Sequence, residues 1–130
     1  MDPIDRPISD KIIKPRCKIW IEVEKSVVFG GGRLALFQAI DELGSINQAA
    51  AKLGMSYRAA WGKITATEKH LGVKLVNKYV GGTRSGSELT PEARKIMNAF
   101  QHFKRESIAA VDDLFNKHFG SLFASPKSGK

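Results

Sequence analysis

Apolar positions recur at two different periods along this chain, and the change of period marks its elements. With successive residues set about 100° apart on a helix, Ala60, Ile64, Thr67 and Leu71 fall in one narrow stripe, the natural core side. Arg58, Gly62, Thr65 and Lys69 fall opposite, with Tyr57 and Trp61 on a flank. Ser56 stands where a capping hydroxyl belongs, so the spacing predicts a helix over 56–71. Just upstream, Ser45 precedes Gln48 by three residues, which suits a capping box, and the small residues Ala49, Ala50 and Ala51 lead to Leu53. Gly54 suits the positive φ that ends one helix and turns the chain into the next. Two short helices across such a turn, 45–71, form the helix-turn-helix layout that presents a helix to DNA.

Elsewhere the period drops to two. Over Lys18–Lys25, Ile19, Ile21 and Val23 alternate with Trp20, Glu22 and Glu24, which predicts a strand that Val27–Phe29 continues or pairs with. The run Gly30, Gly31, Gly32 breaks the pattern as a flexible turn, and Leu34, Phe37, Ile40 and Leu43 then predict a helix from Arg33 to about Leu43. That run matches neither the phosphate-binding loop nor the dinucleotide fingerprint, since Arg33, Leu34, Ala35 and Leu36 follow it; Lys25 and Arg33 beside it are in reach of backbone phosphate. After Gly72, Val73–Val80 alternates again, and a loop holding Gly81, Gly82, Thr83, Arg84 and Gly86 leads to Leu89. A hairpin over 73–90, directly behind a helix-turn-helix, is a wing able to reach the sugar-phosphate rail.

Thr90, Pro91 and Glu92 supply a cap, a first-turn proline and an acid for the helix dipole. From there Ala93, Ile96, Met97, Phe100, Phe103, Ser107, Ala110, Val111, Leu114 and Phe119 recur at spacings of mostly three and four, so a helix is expected over 91–119, roughly 40 Å long at 1.5 Å per residue. An apolar seam of that length implies pairing with a second copy through Ile96, Phe100, Phe103, Val111 and Leu114; folding back onto its own domain is the competing arrangement. The expected fold is mainly α with a small β component: a winged helix-turn-helix, 17–119, with a long C-terminal dimerisation helix. A flexible proline-dotted arm, 1–16, and a flexible tail, 120–130, flank it.

Composition narrows function. Lys and Arg number 21 against 13 Asp and Glu, a net charge of +8, so the chain attracts polyanions. The N-terminus lacks the apolar core of a secretory signal and no long apolar run is present, so a cytoplasmic location without a membrane partner is expected. The lone Cys17 excludes an internal disulfide and fits a reducing compartment, as a free structural thiol, with an intermolecular bridge the alternative. His70, His102 and His118 stand apart on helices without partners at metal-ligand spacing, and no nucleophile-base grouping is present. No enzyme activity, metal or cofactor is therefore expected.

The expected partner is double-stranded DNA. Arg58 leads base readout, with Tyr57, Trp61, Lys63 and Thr65 at the groove walls. Gly62 leaves the helix thin for close approach, Ser56 and Lys69 border the same surface, and Ser45, Asn47, Lys78, Thr83 and Arg84 meet phosphates. The function expected is a sequence-specific transcriptional regulator acting as a homodimer on a two-fold operator. A winged-helix protein-interaction module and a sequence-nonspecific chromosomal DNA-binding protein are the alternatives.

The order of elements, and above all Met55, Ser56, Tyr57, Arg58, Ala59, Ala60 and Trp61 with Leu89, Thr90 and Pro91, resembles the N-terminal DNA-binding domain of the molybdate-dependent transcriptional regulators, over about residues 18–115. The same skeleton is similar, more loosely, to that of LysR-type regulators. The resemblance implies a winged helix, dimerisation through the terminal helix, and transcriptional control, often of molybdate or tungstate uptake genes. Members that sense the oxyanion do so with an additional C-terminal β-rich domain. Eleven residues follow Phe119 here, so an attached oxyanion-sensing domain is not expected and any such sensing falls to a separate partner.

Overall fold

The computed structural model describes residues 6–81 and 84–124. Elements follow in the order β1 (Ser9–Ile12), β2 (Ile21–Val23), β3 (Ser26–Phe29), α1 (Gly31–Leu43), α2 (Ile46–Lys52), α3 (Tyr57–Leu71), β4 (Val76–Gly81), β5 (Arg84–Leu89), α4 (Pro91–Phe119) and β6 (Phe123–Ala124). They group into two compact units, one of Ile19–His102 and the other of residues up to Lys18 together with those from Phe103.

The first unit is the winged helix. Its helices bury one stripe each: Leu34, Leu36, Phe37, Ala39 and Ile40 of α1, Ile46, Ala49 and Ala50 of α2, and Ala60, Ile64 and Thr67 of α3. Leu75, Val76 and Leu89 of the wing and Ala93, Met97 and Phe100 of α4 complete the same core. Phe29 centres the aromatic part, 5.5 Å from the Phe37 ring and 5.1 Å, edge-on, from that of Phe100. Edge-to-face rings at such distances add roughly 0.5–1.5 kcal/mol beyond the area they bury.

Phe100 and Ile96 therefore correct the expectation that both belong to a dimer seam. Phe100 is only 2% exposed, and Ile96 packs against the same core. Helical periodicity marks a stripe as apolar without saying which surface it meets, and the first turns of α4 meet their own domain.

The sheet ends also differ from expectation. The predicted strand over Lys18–Lys25 stops at Val23, because Glu24 and Lys25 turn the chain with φ of 50° and 71°. Two consecutive left-handed residues are the pattern of a tight hairpin turn, more often filled by Asn and Gly. The hairpin pairs Val23 with Ser26, Glu22 with Val27 and, past a shift in register, Ile21 with Phe29. Gly31 and Gly32, expected in a flexible turn, form the first turn of α1 behind an extended Gly30.

In the second unit, part of the expected arm forms a strand. Strand β1 runs parallel to β6, Ser9 opposite Phe123 and Ile12 opposite Ala124, with the amide of Ile8 donating to Leu122 O at 2.6 Å. Phe115, Phe119 and Phe123 stack in series, adjacent centroids 5.1 and 5.7 Å apart. Neither strand carries a period of its own; each exists because of a partner more than a hundred residues away. The distal part of α4 leaves Ile108, Leu114 and Phe119 exposed at 39%, 53% and 41%, with Phe103 at 52% and Val111 half-buried.

Candidate nucleic-acid interface

Two hydroxyl caps fix where the helices of the motif begin. Ser45 Oγ accepts from the Gln48 amide at 3.1 Å, and Ser56 Oγ accepts from the Ala59 amide at 3.0 Å. Each cap satisfies an amide that helix geometry leaves without a partner, worth about 1 kcal/mol. Gly54, at φ 72°, makes the turn between them. As capping acceptors, both hydroxyls keep a proton free to donate outward.

The predicted faces of α3 hold. Ala60, Ile64 and Thr67 are fully buried, whereas Arg58, Gly62 and Lys69 are exposed. A Cβ placed on Gly62 would meet nothing within 4 Å, so the gap in this face is open. Lys63 is half-buried beside it, and Asn47 stands exposed on the first turn of α2. Thr65 differs in detail, since its hydroxyl donates back to the Trp61 carbonyl at 3.0 Å. It offers a methyl group and an acceptor to this surface, and its only donor is committed to the helix.

Lys78, Tyr57 and Trp61 were expected as separate contacts, yet the structure brings them together. The Lys78 ammonium donates to Tyr57 Oη at 2.8 Å and sits 4.5 Å from the Trp61 ring centroid. Trp61 is half-buried against the core, so it holds strand β4 to α3 from a rigid base. Thr83 lies outside the described residues, and Arg84 is placed by its backbone, opposite Gly81 in the hairpin.

Three further residues set the wing on the motif. Glu68, near the end of α3, accepts from the amides of Leu75 and Val76 at 2.8 and 3.1 Å, which anchors the start of β4. The Ser87 amide donates to Gly44 O at 2.9 Å, joining β5 to the turn before α2. Gly86 permits that approach, because a Cβ there would lie 2.8 Å from Gly44 O. These contacts span sequence distances that no local pattern carries.

Arg33, expected within reach of phosphate, turns inward: its Nε donates to Thr67 Oγ1 at 2.7 Å, and burial lowers its pKa below the ordinary arginine value. Two exposed ion pairs, Lys52 with Glu42 and Arg94 with Asp41, both at 2.7 Å, decorate the periphery and contribute little. Among the described residues no three His, Cys, Asp or Glu are placed to hold a metal ion. No described helix is long and apolar enough to cross a membrane.

Residues 32–94, which hold the capped helix pair and the wing, match the bacterial regulatory helix-turn-helix protein family of lysR type. The segment is a LysR-type helix-turn-helix domain. That family is one of DNA-binding transcription regulators and not of enzymes. This LysR-type domain is 36% identical over 87 residues to the molybdenum-pterin-binding protein MopB of Rhodobacter capsulatus, covering 65% of this chain and 32% of that protein. It is 30% identical over 95 residues to the molybdenum transport protein ModE of Azotobacter vinelandii, covering 72% of this chain and 35% of that protein. The chain thus spans about a third of the length of the curated relatives it matches. Its fold is shared by the DNA-binding domain of CbnR, solved in complex with DNA, at a TM-score of 0.52 and 23% identity over 67% of this chain and 95% of that one.

Proposed function

We propose that this chain is a sequence-specific transcriptional regulator whose α3 enters the major groove, and that it works as a homodimer on a two-fold operator. The observation that carries the reading is the open face of α3, where Arg58 and Lys69 stand exposed on either side of the gap at Gly62. An arginine fork fits the paired acceptors of a guanine edge, and a helix without a side chain one turn on can approach the bases closely. In this reading the exposed Asn47 and the hydroxyl of Ser45 meet the flanking phosphates.

The distal part of α4 supports the dimer. Ile108, Leu114 and Phe119 are large apolar side chains left exposed in the single chain, and a second copy is the occupant that would pair two reading heads for a two-fold site. Phe103, Val111 and Leu114 remain in the proposed interface, whereas Ile96 and Phe100 belong to the winged-helix core. The relatives named for molybdenum transport make molybdenum uptake genes the first regulatory targets to examine. A regulator of chromosomal genes would act in the cytoplasm.

Selection of bound sequences from a random duplex pool tests the reading. A palindromic motif is the expected result. A featureless bound pool would point to a sequence-blind chromosomal protein, and no bound pool to a protein-docking module.

A further inference from the structure

We propose that Tyr57, Trp61 and Lys78 form one pre-assembled clamp for a single DNA backbone phosphate, shared between the recognition helix and the wing. The inference rests on the DNA-binding reading above and changes the roles within it: Tyr57 and Trp61 act on the phosphodiester, leaving base edges to Arg58.

The geometry begins with the cation. Lys78 Nζ lies 4.5 Å from the Trp61 centroid and 5.6 Å from that of Tyr57, within the range over which an aromatic face attracts an ammonium. Among the described residues one of its three protons has a protein acceptor, Tyr57 Oη at 2.8 Å. Among the described residues no carboxylate is paired with it; Glu42 and Asp41 are engaged by Lys52 and Arg94.

The tyrosine completes the site. Because Oη accepts from the ammonium, its own proton is free to donate, and the neighbouring positive charge strengthens that donor. Two ammonium protons and one phenol proton are thus left to donate from adjoining atoms that carry a full positive charge. This set complements the oxygens of a phosphodiester. Trp61, seated against the core, has already removed much of the rotamer freedom that a free lysine would surrender on binding.

A purely structural cation-aromatic contact would hold the wing equally well, but it would not count a phosphate. The test therefore measures binding to a random-sequence duplex as salt is varied. Lys78→Met keeps the apolar stem and is expected to flatten the slope of log K against log salt by about 0.9 for each bound subunit. Lys78→Arg, still cationic and able to stack on Trp61, is expected to keep the slope, and Tyr57→Phe to weaken binding several-fold at unchanged slope. On duplexes carrying single methylphosphonates, one position per half-site should weaken the wild type yet cost Lys78→Met nothing further. Binding by Lys78→Met at the wild-type slope, or the absence of any coupled position, overturns the clamp. Failure of the wild type to bind any duplex removes the DNA-binding reading itself, and the clamp with it.

Discussion

The Nε of Arg33 donates to Thr67 Oγ1 at 2.7 Å, tying the first turn of α1 to the buried face of α3. Thr67 passes its own proton to Val28 O at 2.9 Å, so one hydroxyl with no solvent exposure joins α1, α3 and β3. Thr67→Val keeps the shape and removes both bonds, leaving a buried carbonyl and a half-buried guanidinium without this partner. Urea unfolding should show a loss of about 1–3 kcal/mol. Wild-type stability would mean that the network contributes nothing net.

Gly62 separates stability from function. A helix-interior glycine costs up to ~1 kcal/mol relative to alanine, and at Gly62 the added Cβ meets no protein atom. Gly62→Ala should therefore raise the unfolding midpoint while weakening affinity for the selected operator in a gel-shift titration. A variant that is more stable and binds as well as wild type would show that the duplex does not approach this point closely.

Gly86 predicts the opposite sign. Its added Cβ would press on backbone, Gly44 O at 2.8 Å, with Tyr79 Oη at 3.1 Å. Gly86→Ala should cost about 1–3 kcal/mol by forcing the wing from the turn. Amide exchange at Ser87, whose proton goes to Gly44 O, should quicken in the same variant.

Much of the motif was legible because its signals are local. Ser45, Gly54 and Ser56 each act on residues within one turn, and the stripe of Ala60, Ile64 and Thr67 follows from helix period alone. What escaped was set by distance along the chain. Lys78 meets Tyr57 across 21 positions and Arg33 meets Thr67 across 34, and composition gave Lys78 and Arg33 only the character of free cations. Phe100 escaped for another reason: the apolar stripe of α4 is buried at Phe100 and exposed at Leu114, and period does not register the difference. The Ser9–Ile12 strand has too few apolar residues to announce itself without β6.

The two parts of α4 should respond differently to substitution. Phe100→Ala opens a cavity in the core and should cost about 3–5 kcal/mol. Leu114→Asp, at a position 53% exposed, should leave helix content unchanged and shift the sedimenting species from dimer to monomer. A dimer that survives Leu114→Asp would place the interface elsewhere.

In the proposed complex the exposed edge of α3 reads bases through Arg58. Titrating wild type and Arg58→Ala against the selected operator and against random duplex under the same salt separates base reading from phosphate contact. The expected result is a loss of about 1–3 kcal/mol on the operator with affinity for random DNA nearly unchanged. An equal loss on both duplexes, or none on either, would contradict base reading by Arg58.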